Sequence, residues 1–395
     1  MRAPLLALAA ISFVVPAAVF PAAPPQHNPS TKLPRQLDKK ITWRRDPVTG
    51  ELRAVTAGDA ARESGGGAAS GSASIHVRTQ MVPVTCIVST ADGAAVPGLR
   101  REDFKVFEDS AEQPISYFDA STEPASVALV IDASPSVLPD AEEMKRAADA
   151  LVDALAPLDR AAVIDFSAHT YLQLPFSDAR EQVRRAVARV DVRALLGDTG
   201  GSNIYEAVYL AGGELFSGRT GRKAIVLLTD GQDSGLGLTL DPASMAPQLG
   251  EPADRLTFDD VARLLAAEDI QVFAVSTENR PKVMTPEWLA AHREVTLVTP
   301  AARASGIPPY TLYLAEIVRR AGGQLYFLRE AETMADTFRK IAEKIRAEYT
   351  LGFYPALGAD GPDARPGWHS LRVEVPGQPG VQVTYRAAYY VPTTQ

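Results

Sequence analysis

The chain has 395 residues, of which 46% are apolar and 22% are charged, an ordinary composition for a globular protein of about two or three domains. Its 40 basic and 48 acidic residues give a net charge of −8, without the basic stripe that nucleic-acid binding requires. The single cysteine, Cys86, excludes an intrachain disulfide and a zinc site built on several cysteines. The sequence also lacks a P-loop, which argues against a nucleotide-binding protein.

The first residues have the order of a secretory signal peptide. Arg2 supplies a positive charge, residues 5–15 are mostly apolar, and small residues follow as far as Ala23. This apolar run is shorter than the roughly 20 residues that cross a bilayer, and no later stretch is long enough. We therefore expect a signal peptide at residues 1–23, no integral membrane span, and an exported protein that is periplasmic or extracellular.

Residues 24–74 have the composition of a flexible linker. The segment starts with prolines and contains a run of Gly, Ser and Ala at residues 63–72, which cannot bury a core. Within it, residues 41–55 are compatible with a short hairpin that turns at Thr49-Gly50.

Strand and helix patterns alternate between residues 123 and 348. The six expected strands are 126–131, 160–166, 170–174, 223–229, 271–276 and 323–328. The expected helices are 142–155, 179–192, 204–216, 258–267, 310–321 and 330–347. This alternation predicts an α/β fold with a doubly wound, mostly parallel, Rossmann-like six-stranded sheet. Ligands of such sheets bind in the crevice beyond the carboxyl ends of the strands.

The two flanks of this region, 75–122 and 349–395, both contain short strands separated by turns. The expected strands of the second flank are 349–354, 370–375 and 381–388. Each flank alone offers too few strands for a stable two-faced sheet. We therefore predict one small β-sandwich formed by the N- and C-terminal flanks, with the α/β domain at 123–348 inserted between them.

Oxygen-bearing side chains stand where the crevice is expected. Asp132, Ser134 and Ser136 follow the first apolar strand at alternate positions, and Asp230 follows the apolar strand at 223–229. Ser202 ends a Gly-Gly-Ser sequence that opens the helix predicted at 204–216. An all-oxygen set suits a hard divalent cation, so we predict a metal site for Mg²⁺, with Mn²⁺ and Ca²⁺ as alternatives.

The three motifs together resemble a von Willebrand factor type A (VWFA) domain over about residues 126–346. The motifs are Asp-x-Ser-x-Ser at 132–136, Gly-Gly-Ser at 200–202 and Leu-Leu-Thr-Asp-Gly at 227–231. The resemblance implies a metal-ion-dependent adhesion site (MIDAS) made of Asp132, Ser134, Ser136, Ser202 and Asp230. Ser202 stands where the family usually has threonine, and it keeps the hydroxyl.

The flanks extend the resemblance. Val-Pro-Gly-Leu at 96–99 and Tyr-Thr-Leu-Gly-Phe-Tyr-Pro at 349–355 are similar to the flanks of bacterial secreted "VWFA-related domain" proteins. The resemblance implies a non-enzymatic, metal-dependent protein–protein binding module of the adhesion type. In that mechanism a protein partner supplies an Asp or Glu carboxylate to the metal. Two long connections at the same rim, 232–256 and 277–309, are expected to carry specificity or to be idle insertions.

Two other functions remain open from the sequence. A metal-dependent hydrolase would need a general base, for which Asp165, Asp233 and His169 are the candidates. Asp165 is expected at an edge or facing solvent, and Asp233 and His169 in turns. The second alternative is a structural envelope protein whose metal only staples loops. The sequence has neither a His-Glu-x-x-His motif nor a Gly-x-Ser-x-Gly elbow, which favours the binding module.

Overall fold

The computed structural model describes most of the chain from residue 34 onward. The described residues are 34–37, 42–45, 52–55, 81–91, 93–120, 123–190, 201–234, 239–240, 247–248, 256–292, 297, 304–328, 334–355 and 366–391. The predicted signal peptide at 1–23 and the Gly-rich run at 63–72 lie outside them. Residues Pro34–Gln395 form one compact unit.

Nineteen strands and seven α-helices are present in the described residues. The strands are β1 (Arg35–Gln36), β2 (Thr42–Arg45), β3 (Leu52–Val55), β4 (Val82–Ser89), β5 (Lys105–Glu108), β6 (Ala111–Gln113), β7 (Tyr117–Asp119), β8 (Ala125–Asp132), β9 (Arg160–Phe166), β10 (Thr170–Ser177), β11 (Arg222–Thr229), β12 (Thr239–Leu240), β13 (Pro247–Gln248), β14 (Gln271–Ser276), β15 (Leu325–Phe327), β16 (Glu348–Phe353), β17 (Gly367–Glu374), β18 (Gln382–Tyr385) and β19 (Ala388–Val391). The helices are α1 (Ala141–Ala154), α2 (Arg180–Ala188), α3 (Ile204–Leu210), α4 (Phe258–Ala267), α5 (Pro286–Ala291), α6 (Pro309–Ala321) and α7 (Met334–Arg346).

The central sheet has the strand order β1-β10-β9-β8-β11-β14-β15. Strands β9, β8, β11, β14 and β15 run parallel, and β10 is antiparallel to β9. The doubly wound, mostly parallel sheet predicted from the sequence is therefore confirmed, and all six expected strands are in it. A seventh strand, β1, adds to the edge of β10.

Apolar side chains on both faces of the sheet explain why it forms. All eight residues of β8 are buried, and alternate ones point to opposite faces. Ala128 and Val130 pack with residues of α3, α4 and α6, whereas Leu129 and Ile131 pack with residues of α1, α2 and α7. Burial of each of the larger side chains, Val130, Leu129 and Ile131, stabilises the fold by about 1.5–3 kcal/mol. Helices thus cover both faces, and only the ends of the strands are left for a ligand.

Strand β1 lies within residues 24–74, the segment for which the sequence predicts a flexible linker. Arg35 pairs with Leu172, and the N–H of Leu37 donates to the carbonyl of Thr170 at 2.8 Å. The Leu37 side chain is buried in the same apolar cluster as Ala128. Residues 35–37 are therefore part of the α/β core, because the edge of β10 offers both a backbone ladder and an apolar surface. In the same segment, β2 and β3 pair antiparallel, which is the hairpin expected within 41–55.

The flanks form a β-sandwich, as the sequence predicts. One sheet has the order β18-β4-β16-β7 and the other β19-β17-β5-β6, so each sheet combines strands from before and after the α/β domain. Val84, Val106, Leu351 and Val373 contribute to the apolar cluster between the two sheets. Cys86 is buried in the same cluster. The predicted domain boundaries at residues 74, 122 and 348 stay predictions.

The single strand predicted at 381–388 is wrong, because this segment forms β18 and β19 in different sheets. The break falls at Arg386, whose buried guanidinium donates to the carbonyls of Ala266, at 2.6 Å, and Pro83. It also lies 3.5 Å from the Asp269 carboxylate. Arg386 thus joins the sandwich to the end of α4, and the strand bends to make this contact.

Candidate metal-binding site

The carboxyl ends of β8 and β11 meet at one edge of the sheet. These strands are parallel neighbours, and their register places Leu228 beside Ile131. The next residues are therefore also neighbours: Thr229 at the end of β11 and Asp132 at the end of β8. The sheet itself brings the first and third sequence motifs together.

The carboxylate of Asp132 is the centre of the hydrogen-bond network at this edge. Its side chain is buried, with the residue 2% exposed. Oδ1 accepts the backbone N–H of Ser134 at 2.9 Å. Oδ2 accepts the hydroxyl of Thr229 at 2.6 Å and the hydroxyl of Ser202 at 3.2 Å. Asp132 therefore links three separate segments of the chain, and Thr229 is a member that the sequence analysis missed.

Ser134 and Ser136 occupy the loop that leaves β8. Ser134 is buried and directly precedes the 3₁₀ helix Pro135–Asp140, while Ser136 is exposed. Their hydroxyl oxygens lie 3.0 Å apart. The two serines and Asp132 thus leave the strand on one side, as their alternate positions predict.

The Ser202 loop is held by hydrogen bonds to the loop that follows β11. Gly201 has φ +104°, a backbone conformation that suits glycine, and a Cβ there would lie 2.3 Å from the Ser234 hydroxyl. Ser202 and Ser234 exchange backbone and hydroxyl hydrogen bonds of 2.7–3.0 Å. These contacts hold the Ser202 hydroxyl, which is buried, toward Asp132. Ser234 is a second residue that the sequence analysis missed.

Asp230 supplies a second buried carboxylate. Its side chain accepts the backbone N–H of Gln232 at 2.8 Å, within the turn that follows β11. Burial raises the pKa of Asp132 to about 6, and the charge of Asp230 contributes to the rise. Hydrogen bonds from Ser134 and Thr229 act in the opposite direction. A buried carboxylate with a second carboxylate close to it also favours a cation between the two.

The donor set fits a hard cation. It consists of two carboxylates and several hydroxyls, all of them oxygen ligands of the kind that Mg²⁺, Mn²⁺ and Ca²⁺ prefer. In the described part of the chain, no group of three or more His, Cys, Asp or Glu side chains has a metal-binding arrangement. A cation at this edge would therefore depend on hydroxyls for much of its coordination shell.

None of the three candidate general bases, Asp165, Asp233 and His169, belongs to the hydrogen-bond network around Asp132 described above. Asp165 is fully buried in β9, where it accepts an N–H of Gln173 at 2.8 Å, so the prediction of an edge or solvent-facing carboxylate is wrong. It pairs with Ile131, one residue before Asp132, and therefore points to the opposite face of the sheet. Asp233 accepts the backbone N–H of Tyr205 at 3.3 Å. His169 is exposed in the turn between β9 and β10, as expected.

Part of the α/β domain matches a known protein family. Residues 127–232, which contain Asp132, Ser134, Ser136, Ser202 and Asp230, match the family model of the von Willebrand factor type A domain. Over these residues the match confirms the resemblance stated from the motifs. No curated protein sequence matches the chain.

Several solved structures are similar to the chain. An aerotolerance-related membrane protein from Bacteroides fragilis, carrying multiple mutations to serine, is 18% identical over 56% of this chain and 98% of its own, with a TM-score of 0.37. A von Willebrand factor type A protein from Catenulispora acidiphila is 14% identical over 80% of this chain and 74% of its own, with a TM-score of 0.35. Proximal thread matrix protein 1 from the mussel byssus, with a zinc-occupied MIDAS motif, is 15% identical over 60% of this chain and 48% of its own, with a TM-score of 0.37.

No helix among the described residues is both long enough and apolar enough to cross a membrane.

Proposed function

We propose that this chain is an exported, non-enzymatic binding protein that holds a divalent cation at the end of its α/β sheet and uses it to bind a carboxylate of a protein partner. The observation that carries the proposal is the buried Asp132 carboxylate. It accepts hydrogen bonds from the hydroxyls of Ser202 and Thr229, which lie in two other segments of the chain. The proposed ligands are Asp132, Ser134, Ser136, Ser202 and Asp230.

The charge of this donor set supports binding of a partner rather than a closed structural metal. Asp132 and Asp230 together carry two negative charges, and a divalent cation neutralises both. The serine hydroxyls add ligands without adding charge, so the ion remains attractive to another anion. Mg²⁺ gives up its water ligands reluctantly and usually keeps several of them. An Asp or Glu carboxylate of a partner would replace one such water and complete the octahedral shell.

Two further observations separate this proposal from its alternatives. A hydrolase needs a base near the ion, but Asp165 points to the other face of the sheet and Asp233 accepts a backbone N–H at the start of α3. A loop-stapling metal would be needed if the loops were held by nothing else. Ser202 and Ser234 already join the two loops by direct hydrogen bonds. Both observations favour a binding role for the ion.

Two measurements test the proposal. Isothermal titration calorimetry measures binding of Mg²⁺ and Mn²⁺, and a pull-down from envelope and medium fractions, with and without EDTA, identifies metal-dependent partners. Asp132→Ala should lose metal binding and metal-dependent partners. The matched control is Asp178→Ala, which removes an exposed carboxylate at the end of β10. Thermal unfolding of each variant checks that it folds. Identical partner lists for the wild type, the EDTA-treated protein and Asp132→Ala would refute the metal-dependent binding mechanism.

A further inference from the structure

A carboxylate and an aromatic ring lie beside the proposed metal site, on the side of Asp230. The carboxylate is Glu278, two residues after the end of β14. The N–H of Thr277 donates to the carbonyl of Thr229 at 3.1 Å, so the chain leaving β14 stays next to the end of β11. The N–H of Glu278 then donates to the Ser276 hydroxyl at 3.2 Å, which fixes the backbone at this residue.

The aromatic ring belongs to Tyr310, in the first turn of α6. Gly231 has φ +88°, and a Cβ there would lie 3.5 Å from Cδ2 of Tyr310. The ring therefore lies against the residue that follows Asp230. Burial raises the pKa of the Tyr310 phenol, and the negative charges of Glu278 and Asp230 raise it further. Glu278 and Tyr310 therefore both stand next to the end of β11, Glu278 in the segment that Thr277 holds to Thr229 and Tyr310 against Gly231. We call Glu278 and Tyr310 the rim pair.

Among the residues that the structure describes, the polar ends of the rim pair, the Glu278 carboxylate and the Tyr310 hydroxyl, have no hydrogen-bond or ion-pair partner. Among the described residues, no cation pairs with the Glu278 carboxylate, which is half-buried. Arg280, two residues on, lies over the Phe327 ring at 5.6 Å, and its charge acts on Glu287. Helix α6 starts at Pro308 and Pro309, which have no backbone N–H to offer an anion. A carboxylate beside an aromatic ring attracts a cation both by charge and by the ring quadrupole.

The net charge at the crevice also favours binding of a basic group. Asp132, Asp230 and Glu278 carry three negative charges, of which a divalent cation neutralises two. A partner carboxylate on the metal would bring the net charge back to two negative. A basic side chain from the same partner, placed on the rim pair, would offset this repulsion.

We infer that the partner carries a basic side chain, Lys or Arg, next to the carboxylate that reaches the metal, and that Glu278 and Tyr310 bind this basic group. The inference rests on the proposed function, since it concerns the partner of that same site. It gives the partner a recognisable chemistry: an exposed acidic residue with a basic residue adjacent to it.

Binding of short synthetic peptides in Mg²⁺ tests the inference. The probes are capped six-residue peptides in which Gly residues flank Asp-Lys, Lys-Asp, Asp-Gln or Gln-Asp, immobilised for biolayer interferometry. We expect one of the Lys peptides to bind roughly threefold to tenfold tighter than its Gln counterpart. Glu278→Gln should abolish this preference and leave the Mg²⁺ affinity, measured by calorimetry, within about twofold of the wild type. Tyr310→Leu, which keeps an apolar group on Gly231, should reduce the preference.

Glu287→Gln is the matched control. Glu287 is exposed on α5, in the connection after β14 that also contains Glu278, and its substitution removes the same charge. It should keep the full preference. Equal Mg²⁺-dependent binding of Lys and Gln peptides would overturn the inference and leave the proposed function standing. A preference that survives in Glu278→Gln would also overturn it. If no peptide binds in an Mg²⁺-dependent way, the proposed function itself fails, and the inference with it.

Discussion

The Asp132 carboxylate, which we propose as a metal ligand, should destabilise the metal-free protein because its negative charge is buried. Burial and the Asp230 charge raise the pKa of Asp132 from 3.8 to about 6, so the folded state holds this proton more tightly than the unfolded state. The contribution of Asp132 to the stability of the metal-free protein therefore falls as the pH rises from about 3.8 to about 6, and it stays unfavourable above that window. A bound cation would remove the penalty, because it replaces the proton as the partner of the charge.

Asp132→Asn tests this destabilisation and allows its size to be worked out. At about 1.4 kcal/mol per pKa unit, the rise from 3.8 to about 6 corresponds to about 3 kcal/mol at neutral pH. Asparagine has the same shape as aspartate and carries no charge, and the Thr229 and Ser202 hydroxyls can each donate to it or accept from it. We expect the metal-free variant to be more stable than the metal-free wild type by up to about 3 kcal/mol at pH 7. This corresponds to a shift of roughly 6–12 °C for a domain of this size.

Thermal unfolding in EDTA at several pH values, and again in saturating Mg²⁺, measures the effect. The advantage of Asp132→Asn should vanish below about pH 3.8, where the wild-type carboxyl is protonated in both states. Mg²⁺ at 100 times its Kd should stabilise the wild type by about 2.7 kcal/mol and leave the variant unchanged. Asp178→Asn, at an exposed position, is the control and should show neither effect. A variant that is less stable than the wild type in EDTA at pH 7 would refute the reasoning.

Three further predictions concern the loops and the arrangement of the domains. Gly201→Ala places a Cβ against Ser234 at a positive φ and should weaken Mg²⁺ binding measured by calorimetry, whereas Gly218→Ala, also at a positive φ but in open space, should not. Deletion of residues 235–252, within the long connection after β11, should leave metal binding intact but remove partner binding in the pull-down; retained partners would contradict a specificity role. Limited proteolysis followed by mass spectrometry should not release the N- and C-terminal flanks as separate folded pieces, because each sheet of the sandwich contains strands from both.

The strands of the α/β domain could be predicted because they are buried on both faces. A strand such as β8 must be apolar at nearly every position, and this run is visible without any knowledge of its neighbours. Strand β1 could not be predicted in this way, since two residues carry no periodicity and their pairing depends on the free edge of β10. The division between β18 and β19 depends on Arg386, whose hydrogen-bond partners lie far away in the sequence.

Asp132 and Asp230 could be predicted as site residues because they stand at the carboxyl ends of strands that are recognisable in the sequence. Thr229 was missed because its role appears only once β8 and β11 are paired, when its hydroxyl stands opposite a carboxylate 97 positions away in the sequence. Ser234 was missed because it acts through the backbone of Ser202 in another loop. The burial of Asp165 was also missed: a charged residue in a strand pattern suggests an edge, but here Gln173 satisfies it inside the sheet.

The most direct test of the account is an anomalous difference map from crystals of the full chain soaked in Mn²⁺ and acetate. We expect one strong Mn²⁺ peak at the carboxyl ends of β8 and β11, in contact with oxygen atoms of Asp132, Ser134 and Ser202. We also expect an acetate oxygen in the metal's coordination shell, in the place of the partner's carboxylate. A map without a peak at this edge, or with the ion fully enclosed by protein ligands and no place for acetate, would contradict the claim that this chain binds its partner through a metal.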